Sequence, residues 1–181
     1  MNPYFIQLPI NIKMFDPSTF DLTMKRSFNN KNFYSTINNG EYTDYLNNIF
    51  KELKPKDVLY CEFPGAWPHV DHDDSKCAIN HYYVTQNAET IFYKSKPGAQ
   101  TFSVPGEDES NLYHKKDIIK ETSFYAEPNS VYLLDVTKIH GVGRSRINLN
   151  GLRTFVKWRF NAPYKEIYQQ LFDEIIPKIN S

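Results

Sequence analysis

Hydrophobic positions along the chain follow two periods. About a quarter of the way along, the stretch TDYLNNIFKEL (43–53) places Tyr45, Ile49, Phe50 and Leu53 along one stripe, the spacing of an amphipathic helix. A second helical pattern covers 163–178, opened by Pro163, a residue suited to a helix start because its missing N–H has no partner there anyway. Between them the pattern shortens. Apolar and aromatic runs at 57–63, around His69, and at 76–85, 89–95, 122–127, 130–136, 139–145 and 152–160 read as strands, separated by the turn-formers PGAW, QNAE, EPNS and NLNG. About eight short strands with helices at the ends predict a mainly β (α+β) antiparallel sandwich or barrel, with the helices over one sheet. The polar segment 96–116 is the longest interruption, and a loop of that length reads equally as a lid or as a tolerated insertion.

At 181 residues the pattern fits one domain, 1–181, with a β core over about 57–160, an N-terminal extension and helix over 1–56, and the helix at 163–178. Lys and Arg total 21, as do Asp and Glu, so no overall field draws the chain to nucleic acid or an anionic membrane. Gln7, Pro9 and Asn11 interrupt the apolar start that a signal peptide needs, which predicts an intracellular, cytoplasmic protein. The two cysteines, Cys61 and Cys77, fall in apolar runs and are expected as reduced core residues.

Candidate chemistry concentrates in PHVDHDDSK. On a strand, residues two apart project together, so His69 and Asp71 would present an imidazole and a carboxylate side by side. A third donor is His140, just past the apolar run 130–136. Two imidazoles and one carboxylate on one face of an octahedron suit Fe(II) and leave three positions open. His72, Asp73 and Asp74 offer the same spacing, but their polarity fits the following turn, and His69 with Asp71 is preferred.

On these residues the chain resembles the Fe(II)/2-oxoglutarate-dependent oxygenases. Their fold is a double-stranded β-helix, a jelly-roll of cupin-like type, and their triad is His-x-Asp followed by a distal His. The stretch HVDHDDSKCAINHYYVTQ is similar to the prolyl hydroxylase branch, with Lys76, Cys77, Tyr82 and Tyr83 at the matching places. The resemblance implies Fe(II), 2-oxoglutarate and O2 as cofactor and cosubstrates. It also implies that Tyr83 bonds the distal carboxylate of 2-oxoglutarate, and strand alternation would set His81 beside it in the pocket. Gly151-Leu152-Arg153 matches the family signal that places a guanidinium on that carboxylate; Arg144 and Arg146 read instead as exposed turn residues. Arg159 would face the same way as Arg153, to touch substrate or to sit in an ion pair. Its place usually holds Trp in the prolyl hydroxylase branch, so the departure points toward small-molecule and asparaginyl-type relatives. The implied partner is a small-molecule or peptidyl substrate, lined by the region around NNKNFYSTINNGEY and by 96–116, whose His114 reads as a surface residue. Two rival classes remain open: a cupin-type metalloenzyme that does not use 2-oxoglutarate, and a non-catalytic β-sandwich.

Overall fold

The computed structural model describes residues 2–28, 32–38, 40–50, 52–71, 74–103, 111–143 and 153–179. Its strands are β1 (Phe5–Gln7), β2 (Leu22–Phe28), β3 (Asn32–Ile37), β4 (Asp57–Phe63), β5 (Ala66–Val70), β6 (Cys77–Val84), β7 (Glu89–Ser95), β8 (Thr101–Phe102), β9 (Asn111–Tyr113), β10 (Ile118–Tyr125), β11 (Val131–Leu134), β12 (Ile139–Val142) and β13 (Arg153–Phe160). Helix α1 (Gly40–Phe50) precedes β4. The C-terminal helical run is α2 (Tyr164–Gln170), a π-helical turn (Leu171–Ile175) and α3 (Ile176–Ile179).

The strands form two antiparallel sheets. One has the order β1-β11-β6-β13-β4-β3-β2 and the other β10-β7-β12-β5-β9-β8. The connectivity within them defines the fold. From β4 onward the chain passes from one sheet to the other at β5, back at β6 and across again at β7; it stays in the second sheet through β10, then returns at β11, crosses at β12 and ends in the first sheet at β13. The four-strand blocks β11-β6-β13-β4 and β10-β7-β12-β5 are therefore wound together as a double-stranded β-helix, the jelly-roll that the family resemblance implied and a specific form of the sandwich or barrel expected from the strand pattern. Strands β1, β2 and β3 widen the first sheet, and β8 and β9 extend the second out of the segment 96–116. The strand pattern alone did not expose these five.

Two apolar clusters hold this arrangement. Between the sheets lie Cys61, Ala78, Tyr82, Phe92, Phe124, Tyr132 and Phe155, with Phe5 of β1 stacked among them. Behind the first sheet, Ile79, Tyr83, Val131, Leu133, Val156 and Trp158 pack against Tyr42, Leu46 and Phe50 of α1 and against Tyr164, Ile167 and Leu171 of the C-terminal run. Strand β6 serves both clusters. Seven of its eight residues are buried, Ala78 and Tyr82 toward the other sheet, Cys77, Ile79 and Tyr83 toward the helices. Cys61 and Cys77 are reduced and buried, and burial pushes the Cys61 thiol up to about 12, which keeps it unreactive. No helix among the described residues is long and apolar enough to cross a membrane.

Candidate metal centre

The site is built where β5 meets β12. These strands run antiparallel with His69 directly opposite His140, so the two imidazoles leave the same face of the sheet and their ring centroids lie 4.4 Å apart. The ladder breaks its register just after His140. There Gly141 approaches the neighbouring strand so closely that a Cβ on it would stand 3.1 Å from the Ala66 carbonyl oxygen and 3.2 Å from the Pro68 nitrogen. Asp71 follows the end of β5. Its backbone N–H donates to the Val136 carbonyl, tying it to the turn that leads into β12. Asp135 stiffens that turn by accepting from the Thr137 N–H and hydroxyl.

Both imidazoles are oriented through Nδ1, which lies 2.6 Å from the Trp67 carbonyl oxygen in His69 and 2.9 Å from the Lys138 carbonyl oxygen in His140. A carbonyl only accepts, so each Nδ1 carries the proton and each Nε2 presents a lone pair. The two Nε2 atoms stand 3.3 Å and 3.4 Å from Asp71 Oδ1, and the three donor atoms lie within 4.8 Å of one another. An ion bound at about 2.1 Å spaces neighbouring ligands roughly 3.0 to 3.4 Å apart, so this triangle fits one metal ion.

Electrostatics prepare the same donors. Burial, and then the neighbouring His69, push the His140 pKa down, which keeps its ring neutral. For Asp71, burial alone would raise the pKa, but the Lys157 ammonium beside it outweighs burial and holds the carboxyl well below its ordinary value. Lys157, on β13, donates to Asp71 Oδ2 at 2.6 Å.

The same inter-sheet space holds a second charged group. Arg153 begins β13, is 1% exposed, and lays its guanidinium over the Tyr82 ring, 4.3 Å from the centroid. None of its three guanidinium nitrogens makes a hydrogen bond to a described residue. Burial pushes its pKa down, partly offset by Tyr82 and Tyr132. On the same face Asn80 donates to the Tyr82 hydroxyl at 3.1 Å, while its own Oδ1 is buried without a partner among the described residues.

The structure thus brings His69, Asp71 and His140 together and sets Arg153 in the same space. Tyr83 and His81 are elsewhere. Contrary to the expectation that they line a cosubstrate pocket, Tyr83 packs in the helix-facing cluster, and His81, fully buried, bonds Asn129 Oδ1 at 2.8 Å and lies against the Tyr83 ring. Their alternation is as expected but the face is reversed, and Tyr82 with Asn80 takes the inward positions. Arg159 pairs with Asp57, directly opposite on β4, through both Nε and Nη2. His114 is exposed and stacks on Phe102, with Trp67 edge-on beside it. His72, Asp73, Arg144 and Arg146 lie outside the described residues. Lys157, Tyr82 and Asn80 received no role from sequence; the available signal was a lysine at an inward position of an apolar strand, two residues from Phe155.

No protein-family model and no curated protein sequence matches the chain. Among solved structures it is similar to Escherichia coli YcfD at 16% identity and TM-score 0.47, over 81% of this chain and 38% of that one. A second YcfD structure, described as a ribosomal oxygenase, aligns over 84% of this chain and 39% of that one with 16% identity and TM-score 0.41. The epimerase SnoN, solved with Fe3+, alpha-ketoglutarate and nogalamycin RO, aligns at 7% identity and TM-score 0.47, over 75% of this chain and 66% of that one. The chain therefore spans well under half the length of YcfD. At these scores the likeness is one of general shape, and the strand order given above is what defines the fold.

Proposed function

We propose that this chain is an Fe(II)- and 2-oxoglutarate-dependent oxygenase that hydroxylates an unactivated C–H bond of a small molecule or an amino-acid or peptidyl substrate. The observation that carries the reading is Arg153. A guanidinium at 1% exposure, without an acceptor among the described residues, is costly unless an anion enters beside it, and its planar fork suits a carboxylate. That it shares the inter-sheet space with two neutral imidazoles and an ionised carboxylate joins the metal and the organic acid in one site.

In this reading His69, Asp71 and His140 hold the metal, Arg153 holds the C5 carboxylate of 2-oxoglutarate, and Tyr82 backs the guanidinium with its ring. When bound, iron and 2-oxoglutarate supply the oxidising power, with O2 consumed and succinate and CO2 released. The chain's own residues do the rest. The Trp67 and Lys138 carbonyls fix the imidazole tautomers, Lys157 neutralises the second oxygen of Asp71, and Phe92, Phe155 and Tyr132 keep water out of the inter-sheet space. A cupin-type enzyme working without the organic acid leaves the buried Arg153 unexplained, and a non-catalytic sandwich leaves the triad unexplained.

The test is anaerobic. Fe(II) and 2-oxoglutarate added to the protein should produce a weak visible charge-transfer band, which iron alone should not. Absence of that band, with the protein folded and iron bound, refutes the proposal. Substrate identity then follows from a metabolite and peptide library screened by succinate release.

A further inference from the structure

Lys157 is the residue at this centre that the triad and the acid-binding arginine leave unassigned. It stands on β13 between Val156 and Trp158, both buried in the helix-facing cluster, while its own side chain turns the other way into the space between the sheets. The ammonium meets Asp71 Oδ2 at 2.6 Å, with the lysine side chain 16% and the aspartate 11% exposed. The two oxygens of one carboxylate are therefore divided. Oδ1 faces the Nε2 atoms of His69 and His140, and Oδ2 is taken by Lys157.

That division matters because a carboxylate can bind a metal through one oxygen or two, and the second mode consumes a coordination position. With two imidazoles and a one-oxygen aspartate, an octahedral ion keeps three positions. A two-atom chelating acid fills two of them and leaves one. Were Asp71 to bind through both oxygens, that last position would be lost. We infer that Lys157 is a positioning residue that holds Asp71 as a one-oxygen ligand and so keeps a coordination position open beside the bound organic acid. This role rests on the metal and 2-oxoglutarate reading given above. The lysine acts through the aspartate, by hydrogen bond and charge, and has no contact with the reacting atoms in this account.

The test uses nitric oxide, which occupies an open position on Fe(II) and gives a characteristic electron paramagnetic resonance signal without turnover. The full-length protein is loaded anaerobically with Fe(II) and 2-oxoglutarate and titrated with nitric oxide, together with Lys157→Met, which removes the donor, and Lys157→Gln, which keeps an N–H for Oδ2. The expected result is saturation of the parent and of Lys157→Gln at similar nitric oxide concentrations. Lys157→Met should need roughly tenfold more or better, the scale of one lost charge-assisted hydrogen bond. If Lys157→Met does not fold, Lys157→Thr, too short to reach Oδ2, carries the same contrast. Equal nitric oxide affinity in the donor-less variant and the parent overturns the role of Lys157 while leaving the site reading intact. A parent that shows neither the charge-transfer band nor the nitric oxide signal overturns both.

Discussion

Replacing Arg153 with methionine should make the ligand-free protein more stable and the ligand-bound protein impossible to form. The guanidinium is 1% exposed and its nitrogens have no acceptor among the described residues, so the empty site carries a buried charge offset chiefly by the Tyr82 face at 4.3 Å. Desolvating such an ion costs several kcal/mol, a desolvated cation–π contact returns about 2 kcal/mol, and hydrophobic replacement of buried charge is typically neutral to about 4 kcal/mol stabilising. For a chain of this length each kcal/mol moves the melting temperature by about 2–4 °C, so Arg153→Met should melt between no higher and about 16 °C higher without ligand. Saturating 2-oxoglutarate at about a hundred times its Kd adds about 2.7 kcal/mol to a protein that binds it, and should add nothing to the variant. Thermal melts of the Mn(II)-loaded parent and variant, with and without 2-oxoglutarate, give all four numbers. A variant that melts lower than the parent and still gains the same stabilisation from 2-oxoglutarate would show that Arg153 is neither a buried uncompensated charge nor the acid-binding group.

Further outcomes concern the other residues of the site. His140→Ala should weaken metal binding by roughly a hundredfold or more, read by calorimetric titration with Mn(II); stoichiometric binding at parental affinity would contradict the triad. Tyr82→Leu should lower 2-oxoglutarate affinity while Tyr83→Phe leaves it unchanged, and the reverse pattern would restore the face that the structure assigns away from the site. Gly141→Ala should destabilise by about 1–3 kcal/mol and weaken metal binding, because the new methyl meets backbone atoms of β5 that cannot yield without moving His69; an unchanged melting temperature would argue against that close approach. Burial holds the pKa values of His81 and His140 below the ordinary value. Below about pH 6.5 the unfolded chain therefore takes up protons that the folded chain refuses, and metal-free stability should fall by up to about 1.4 kcal/mol per histidine per pH unit. Melting temperatures measured from pH 7.5 to 5.5 should decline, less steeply in His81→Gln, and a flat profile would contradict the burial argument.

Much of this protein was readable from residue order alone. The two helical stripes, and strands at 57–63 and 89–95, emerged from hydrophobic period because their patterns do not depend on distant partners. Helix α1 begins and ends three residues earlier than its stripe suggested, since Leu53 packs as part of the core without being helical. His69 and Asp71 were legible as a pair through strand alternation, and Arg153 was singled out by its resemblance to a family signal, its part in holding an acid being the proposal made above. Strands β8 and β9, two and three residues long, were not, because they are defined by pairing with each other and with β5 and by nothing in their own composition.

Tertiary structure decided the rest. Only the pairing of β5 with β12 brings His140, 71 positions along the chain, opposite His69, and only that register aims both Nε2 atoms at one oxygen of Asp71. Strand β6 shows most plainly why sequence runs out. It is covered by the second sheet on one side and by helices on the other, so apolar and aromatic residues occupy both faces and the alternation that would distinguish Tyr82 from Tyr83 disappears. Lys157 is the complementary case, a charge inside an apolar strand whose purpose appears only when the fold carries Asp71 to within 2.6 Å of it.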